Sequence, residues 1–183
     1  MKKIIGLAFV AGWVVVSCGE DDPLDAAWAL FRDGNYAGAH AAFTELIPSE
    51  GGQAYMGLGW TALKMDSIPE ANAYLNTAIA TKDSILDAVA GNVFAFRVLD
   101  MHNACIFSAN AVLQKKPTYV FTHERTITHH DLNVHKAYSL FDLNRLADCY
   151  ETILILDPGF TLATTDSTAE LLAKLDSLYD EFN

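Results

Sequence analysis

Slid along itself by 32 residues, the chain repeats its own pattern, and this restricts the fold more than any other feature. At that offset Trp28 falls on Trp60, Tyr36 on Ile68, Ala39 on Ala71 and Phe43 on Leu75. Self-similarity at such a period means one supersecondary unit after another. Each unit is too small to bury its apolar face alone, so neighbours stack into a continuous core. Inside the units the apolar spacing is helical, as in Tyr36, Ala39, Ala42-Phe43 and Leu46-Ile47. Breakers punctuate it at Gly34-Asn35, at Pro48 with Gly51-Gly52, and at Met65-Asp66-Ser67. The pattern predicts helices over 25–33, 36–47, 54–64 and 68–81.

Two further pairs are legible, each less regular. The third runs over 86–100 and 102–114, with Cys105 where the earlier pairs carry Ala39 and Ala71, and Pro117 follows it. A fourth runs over 131–141 and 144–156 before Asp157-Pro158, with Leu146 in the slot expected to hold a small residue. Ser167-x-x-Glu170 then reads as a capping box opening a last helix. Its Leu171, Leu175, Leu178 and Phe182 form one apolar face, suited to capping the end of the stack.

Gly34-x-Tyr36-x-x-Ala39-x-x-x-Phe43 and Tyr55-x-x-Leu58-Gly59-x-x-Ala62, followed by Ala71, Leu75 and Ala78, resemble the tetratricopeptide repeat. The resemblance covers residues 24–116 and, more loosely, 131–158. It implies an all-α solenoid of helical hairpins, with small residues at Ala39, Gly59 and Ala71 where paired helices touch. Tyr36, Phe43 and Leu75 would then fill the gap to the next pair. In this family the first helix of each pair lines a concave groove that holds extended peptides. One segment departs from the pattern: Thr118 to His123 and Thr126 to His130 are β-branched and aromatic, around Glu124-Arg125. They predict a β-hairpin, about 118–130, inserted into the helical array as a place for specific binding.

The N-terminus reads as an address. Lys2 and Lys3 precede an apolar run from Ile4 to Val16 and a small-residue boundary at Ser17-Cys18. At about 13 residues the run is shorter than the roughly 20 needed to cross a bilayer. The boundary resembles the lipobox of bacterial lipoproteins, in which residues 1–17 are removed and Cys18 becomes the acylated first residue. That resemblance implies palmitate or similar acyl chains, and a chain tethered to a cell-envelope membrane, expected to be the outer membrane, on its periplasmic or surface face. Residues 18–23 form an acidic leader, either a solvated tether or a surface-export tag, ahead of a helical repeat domain over 24–183. Loss of Lys2 and Lys3 leaves 10 basic residues against 23 acidic ones, a formal charge of about −13. Such a surface disfavours nucleic acid and anionic head groups, which leaves the lipid as the attachment. Cys105 and Cys149 each lie in an apolar helical pattern, open to pairing or to burial as free thiols.

Candidate sites follow from the repeats and the insertion. Trp28, Trp60 and Phe94 recur at one place in the first helix of each pair, and Phe31, Arg32, Lys64 and Arg97 follow one turn later. Aromatic area beside cations suits an extended peptide with carboxylates. The same stripe also fits rings packed between helices with the cations reaching outward. Sugar rings stacked on Trp28, Trp60 and Phe94 give a glycan-binding alternative. His123, His129, Asp131 and His135 give a metal-binding one, although no zinc-motif spacing is present. There is no G-x-S-x-G elbow, phosphate loop or dinucleotide fingerprint, so no catalysis and no cofactor are expected. The sequence therefore reads as a membrane-anchored, non-catalytic scaffold binding an envelope protein or peptide.

Overall fold

The computed structural model describes residues 22–81, 85–163 and 167–182, and helices are the main structure these residues form. Four hairpins follow one another: α1 (Pro23–Arg32) with α2 (Tyr36–Glu50), α3 (Gly52–Lys64) with α4 (Ile68–Ala80), α5 (Ile85–Val98) with α6 (His102–Lys115), and α7 (His129–Asp142) with α8 (Leu146–Leu156). A ninth helix, α9 (Ser167–Phe182), packs on α7 and α8 and buries Leu171, Leu175 and Leu178. Besides each helix meeting its successor, α1 touches α3, α3 touches α5, and α5 touches α7. The first helices of the hairpins thus make one continuous inner wall.

The hairpins share one turn chemistry. Every three-residue turn holds a single residue at positive φ: Gly34 at 76°, Asp66 at 58°, Asp100 at 55° and Asn144 at 55°. The next amide then reaches back across the turn, from Asn35 to the Leu30 carbonyl, Ser67 to Ala62, Met101 to Phe96 and Arg145 to Leu140, each at 2.8–2.9 Å. This satisfies carbonyls that a helix end leaves orphaned, and Gly, Asp and Asn are the residues that tolerate the left-handed region. The helix α2 runs through Pro48, where a break was expected, and stops at Gly51 with φ 43°. Proline's φ suits a helix, and this near its end the missing N–H costs one hydrogen bond only.

Close packing explains the small residues. A Cβ on Gly59 would sit 2.5 Å from Leu75 Cγ, and one on Gly57 would enter the Phe43 ring. Between α4 and α5 lies a closed ring of amides: Asn72 donates to Asn92 at 3.1 Å, Asn92 to Asn76 at 2.9 Å, and Asn76 to Asn72 at 3.1 Å. The buried Asn92 is satisfied in this way, as a polar group in a core must be. Cys105 and Cys149 are buried free thiols, so the two do not pair.

The expected β-hairpin over 118–130 is not formed. Among the described residues the segment holds one isolated antiparallel bridge, between Val120 and Thr128. The Thr128 hydroxyl and the Asp131 carboxylate form a capping box that starts α7 at His129, so the second presumed strand turns into helix. What remains between α6 and α7 is an irregular loop that folds back over the inner wall.

Candidate functional site: an inner wall with a seated loop

Helices α1, α3 and α5 place Trp28, Trp60 and Phe94 at matching positions, and the loop lies on the two tryptophans. Phe121 stacks on Trp60, with ring centroids 4.1 Å apart and planes 17° from parallel. It also meets Trp28 and Phe31 edge-on, at 6.0 and 6.4 Å. His123 lies flat on Trp28 at 3.6 Å. The Lys64 ammonium donates to Glu124 Oε1 at 2.7 Å. At the far edge, the Tyr119 hydroxyl donates to Asp87 Oδ1 at 2.8 Å, and the Trp60 indole donates to the Asp87 carbonyl at 3.1 Å. Tyr119, Phe121 and His123 alternate with Val120 and Thr122, so one side of the segment faces the wall.

Burial shapes the electrostatics of this contact. It raises the Asp87 carboxyl pKa, while the Tyr119 hydrogen bond and Lys116 pull the other way. The Tyr119 phenol is pushed far up by burial and by the charge of Asp87. His123 is lowered to about 4, by burial first and by Arg32 second, which makes it a neutral ring at physiological pH. Elsewhere burial raises the Cys105 thiol and lifts Cys149 to about 11. Both stay protonated near neutrality and are poorly suited as nucleophiles. What the wall holds in this structure is the chain's own loop, by two ring stacks, one ion pair and one part-buried hydrogen bond.

The residues expected to line an open groove are placed differently. Trp28 and Trp60 are 1 % exposed and Phe31 is 2 % exposed, so these rings are core under the loop and no open face remains on them. The cause is the insertion, whose own rings cover theirs. Phe94 is half-buried, 5.7 Å from Trp60 and 4.8 Å from His135. Arg32 is exposed, and Lys64 is taken by Glu124. Arg97 pairs with Asp142 at 3.0 Å and lies over the Tyr138 ring at 5.4 Å. A sugar platform on Trp28 and Trp60 is covered for the same reason.

The four candidate metal ligands do not converge. His123 is on Trp28, His129 and Asp131 belong to the first turn of α7, and His135 packs between Phe94 and Tyr179. Among the described residues no three His, Cys, Asp or Glu side chains gather around a common point. Cys18 and the apolar run before it lie outside the described residues, and no described helix is long and apolar enough to cross a membrane. Sequence reasoning missed Tyr119, Phe121, Glu124 and Asp87 as wall contacts. The two-residue alternation of Tyr119, Phe121 and His123 was the available signal, since a one-sided apolar segment needs a surface to cover it. Beside the loop the wall stays open as a cavity of about 400 Å³, bordered by Phe94, Ile127, His135 and Tyr179.

With the stacked hairpins and the inner wall in view, solved structures place the architecture. MamA MSR-1 superposes with a TM-score of 0.64 at 11% identity, over 88% of this chain and 97% of that one. The fold is tetratricopeptide-like. A thermophilic TPR protein of Thermus thermophilus gives 0.56 at 16% identity, over 87% of this chain and 88% of its own. A tetratricopeptide repeat protein of Parabacteroides merdae gives 0.58 at 11%, over 87% of this chain and 59% of the other. No protein-family model and no curated protein matches the sequence.

Proposed function

We propose that this chain is a non-catalytic interaction scaffold of a bacterial envelope, tethered through an acylated Cys18, that receives an extended partner segment on its inner helical wall. The observation that carries the reading is the seated loop. A wall of repeated first helices grips a polypeptide segment through stacked rings, a lysine–carboxylate pair and a buried hydroxyl contact. These are the interactions by which a groove of this kind would grip a peptide. The tether is supported by the basic start, short apolar run and Ser17-Cys18 boundary, and the acidic surface turns away nucleic acid.

Site-specific photocrosslinking in native membranes tests the scaffold, with the crosslinker placed at Arg32 and at Val98 on the rim of the wall. The expected result is covalent capture of an envelope protein from these positions and none from the outer face at Phe107. Capture from Phe107 alone, or from no position on a folded chain, would overturn it. Cys18→Ser should move the protein out of the membrane fraction, and unchanged membrane retention would remove the anchor from the reading.

A further inference from the structure

We propose that residues 119–124 are a built-in occupant of a peptide site formed by Trp28, Trp60, Lys64 and Asp87, and that a partner segment of the same chemistry takes their place. This rests on the scaffold reading and names the partner's chemistry: a planar ring, a second planar ring two residues on, and a carboxylate immediately after it. In cis those groups are Phe121 on Trp60, His123 on Trp28 and Glu124 on Lys64. Tyr119 extends the same series to Asp87.

Three observations separate a seated ligand from an ordinary stretch of core. The segment closes its backbone hydrogen bonds on itself: Phe121 N to Ile127 O at 2.9 Å, Ile127 N to Glu124 O at 3.0 Å, and His129 N to Tyr119 O at 2.8 Å. Its polar ties to the wall run through the Tyr119 hydroxyl and the Glu124 carboxylate, so a competitor that supplies the same side chains replaces them in kind. Next, the contacts fall on the residues that recur between repeat units, Trp28 and Trp60, and on the lysine one turn beyond the second. The wall thus offers its repeated face to the segment. Finally, the charge is matched locally although the chain is acidic overall. Lys64 already holds a carboxylate, and the exposed Arg32 stands beside His123 as a second cation for an acidic visitor.

Displacement has a definite cost. A tethered segment competes at high effective concentration, so a free peptide of identical sequence binds the intact protein weakly and an emptied groove strongly. The test uses the full chain carrying Trp13→Phe, which leaves Trp28 and Trp60 as its only indoles. The probe is an acetylated, amidated peptide of residues 117–128. In a Phe121→Ala/Glu124→Gln variant, shown to be helical by circular dichroism, indole emission should shift to the red. Added peptide should restore it, binding about tenfold or more tighter than to the parent. A peptide bearing Phe121→Ala should do neither. A His123→Ala/Glu124→Gln variant, which leaves Tyr119 and Phe121 in place, serves if the first variant loses its helices; it should bind the peptide about threefold or more tighter than the parent. A helical variant that ignores the peptide, parent and variants that bind it alike, or an altered peptide that works as well would each overturn the proposal. An envelope partner captured by crosslinking that leaves the emission of Trp28 and Trp60 unmoved would preserve the scaffold and overturn this assignment.

Discussion

Replacing Phe121 by alanine probes the seated loop directly. The ring has no solvent exposure and lies face-on against Trp60, with edges on Trp28 and Phe31. Removing a fully buried phenylalanine costs about 3–5 kcal/mol, counting lost transfer free energy and the cavity left behind. Against the roughly 5–15 kcal/mol of a typical domain, that is a fifth of the total or more. For a chain of this size it corresponds to a Tm lower by about 6–20 °C, at about 2–4 °C per kcal/mol. The assay is urea unfolding followed by far-UV circular dichroism and by indole emission together. The midpoint should fall with the slope unchanged, because the surface exposed on unfolding is nearly the same. A loss of about 0.5 kcal/mol or less, the range of ordinary surface changes, would refute the claim that the loop completes the core. A large loss does not oppose displacement, since a competitor ring restores the contact that Phe121 gives up.

Other predictions concern turns, close approach and protons. Gly59→Ala should destabilise by about 1–3 kcal/mol despite alanine's better helix propensity, because the new methyl overlaps Leu75; a neutral result in thermal melts would show that α3 and α4 can separate freely. Asn144→Gly should stabilise by up to about 1 kcal/mol, since the position sits at φ 55°, and a lowered melting temperature would contradict the turn argument. The pKa of His135 is lowered to about 4, by burial first and Arg97 second. The fold therefore refuses a proton that the unfolded chain accepts, so its contribution is complete above about pH 6.5 and is lost as pH falls from there toward 4. For His135 the full effect is about 3 kcal/mol, and His135→Gln should flatten the stability–pH curve in that window. An unchanged acid limb would refute it.

The hairpins were legible because helix-period spacing and turn residues act locally. Gly34, Met65-Asp66-Ser67 and the 32-residue offset specify helix pairs whatever surrounds them. The stripe of Trp28, Trp60 and Phe94 was legible as a wall, but its exposure was not. Whether these rings meet solvent depends on a segment 61 residues beyond Trp60 and 93 beyond Trp28, counted to Phe121, and no local pattern encodes that contact. The insertion was misread for a related reason. Its β-branched residues favour an extended backbone, yet Thr128 and Asp131 begin a helix by a capping box that outweighs strand propensity at His129 and His130. His123, His129, Asp131 and His135 look like ligands when read as sequence neighbours. In three dimensions one is a stacking ring, two open α7, and the last packs between Phe94 and Tyr179 at the edge of the cavity.

The cyclic trio of Asn72, Asn76 and Asn92 has a mechanical consequence for the array. Apolar contacts between helices have no preferred direction, whereas three amides that each donate and accept one hydrogen bond close only over a narrow range of orientations. The joint between the second and third hairpins therefore carries a directional tie beside its apolar packing. A twist at that joint would have to open the ring of amides before it moved Trp60 relative to Phe94, 5.7 Å away on the next inner helix.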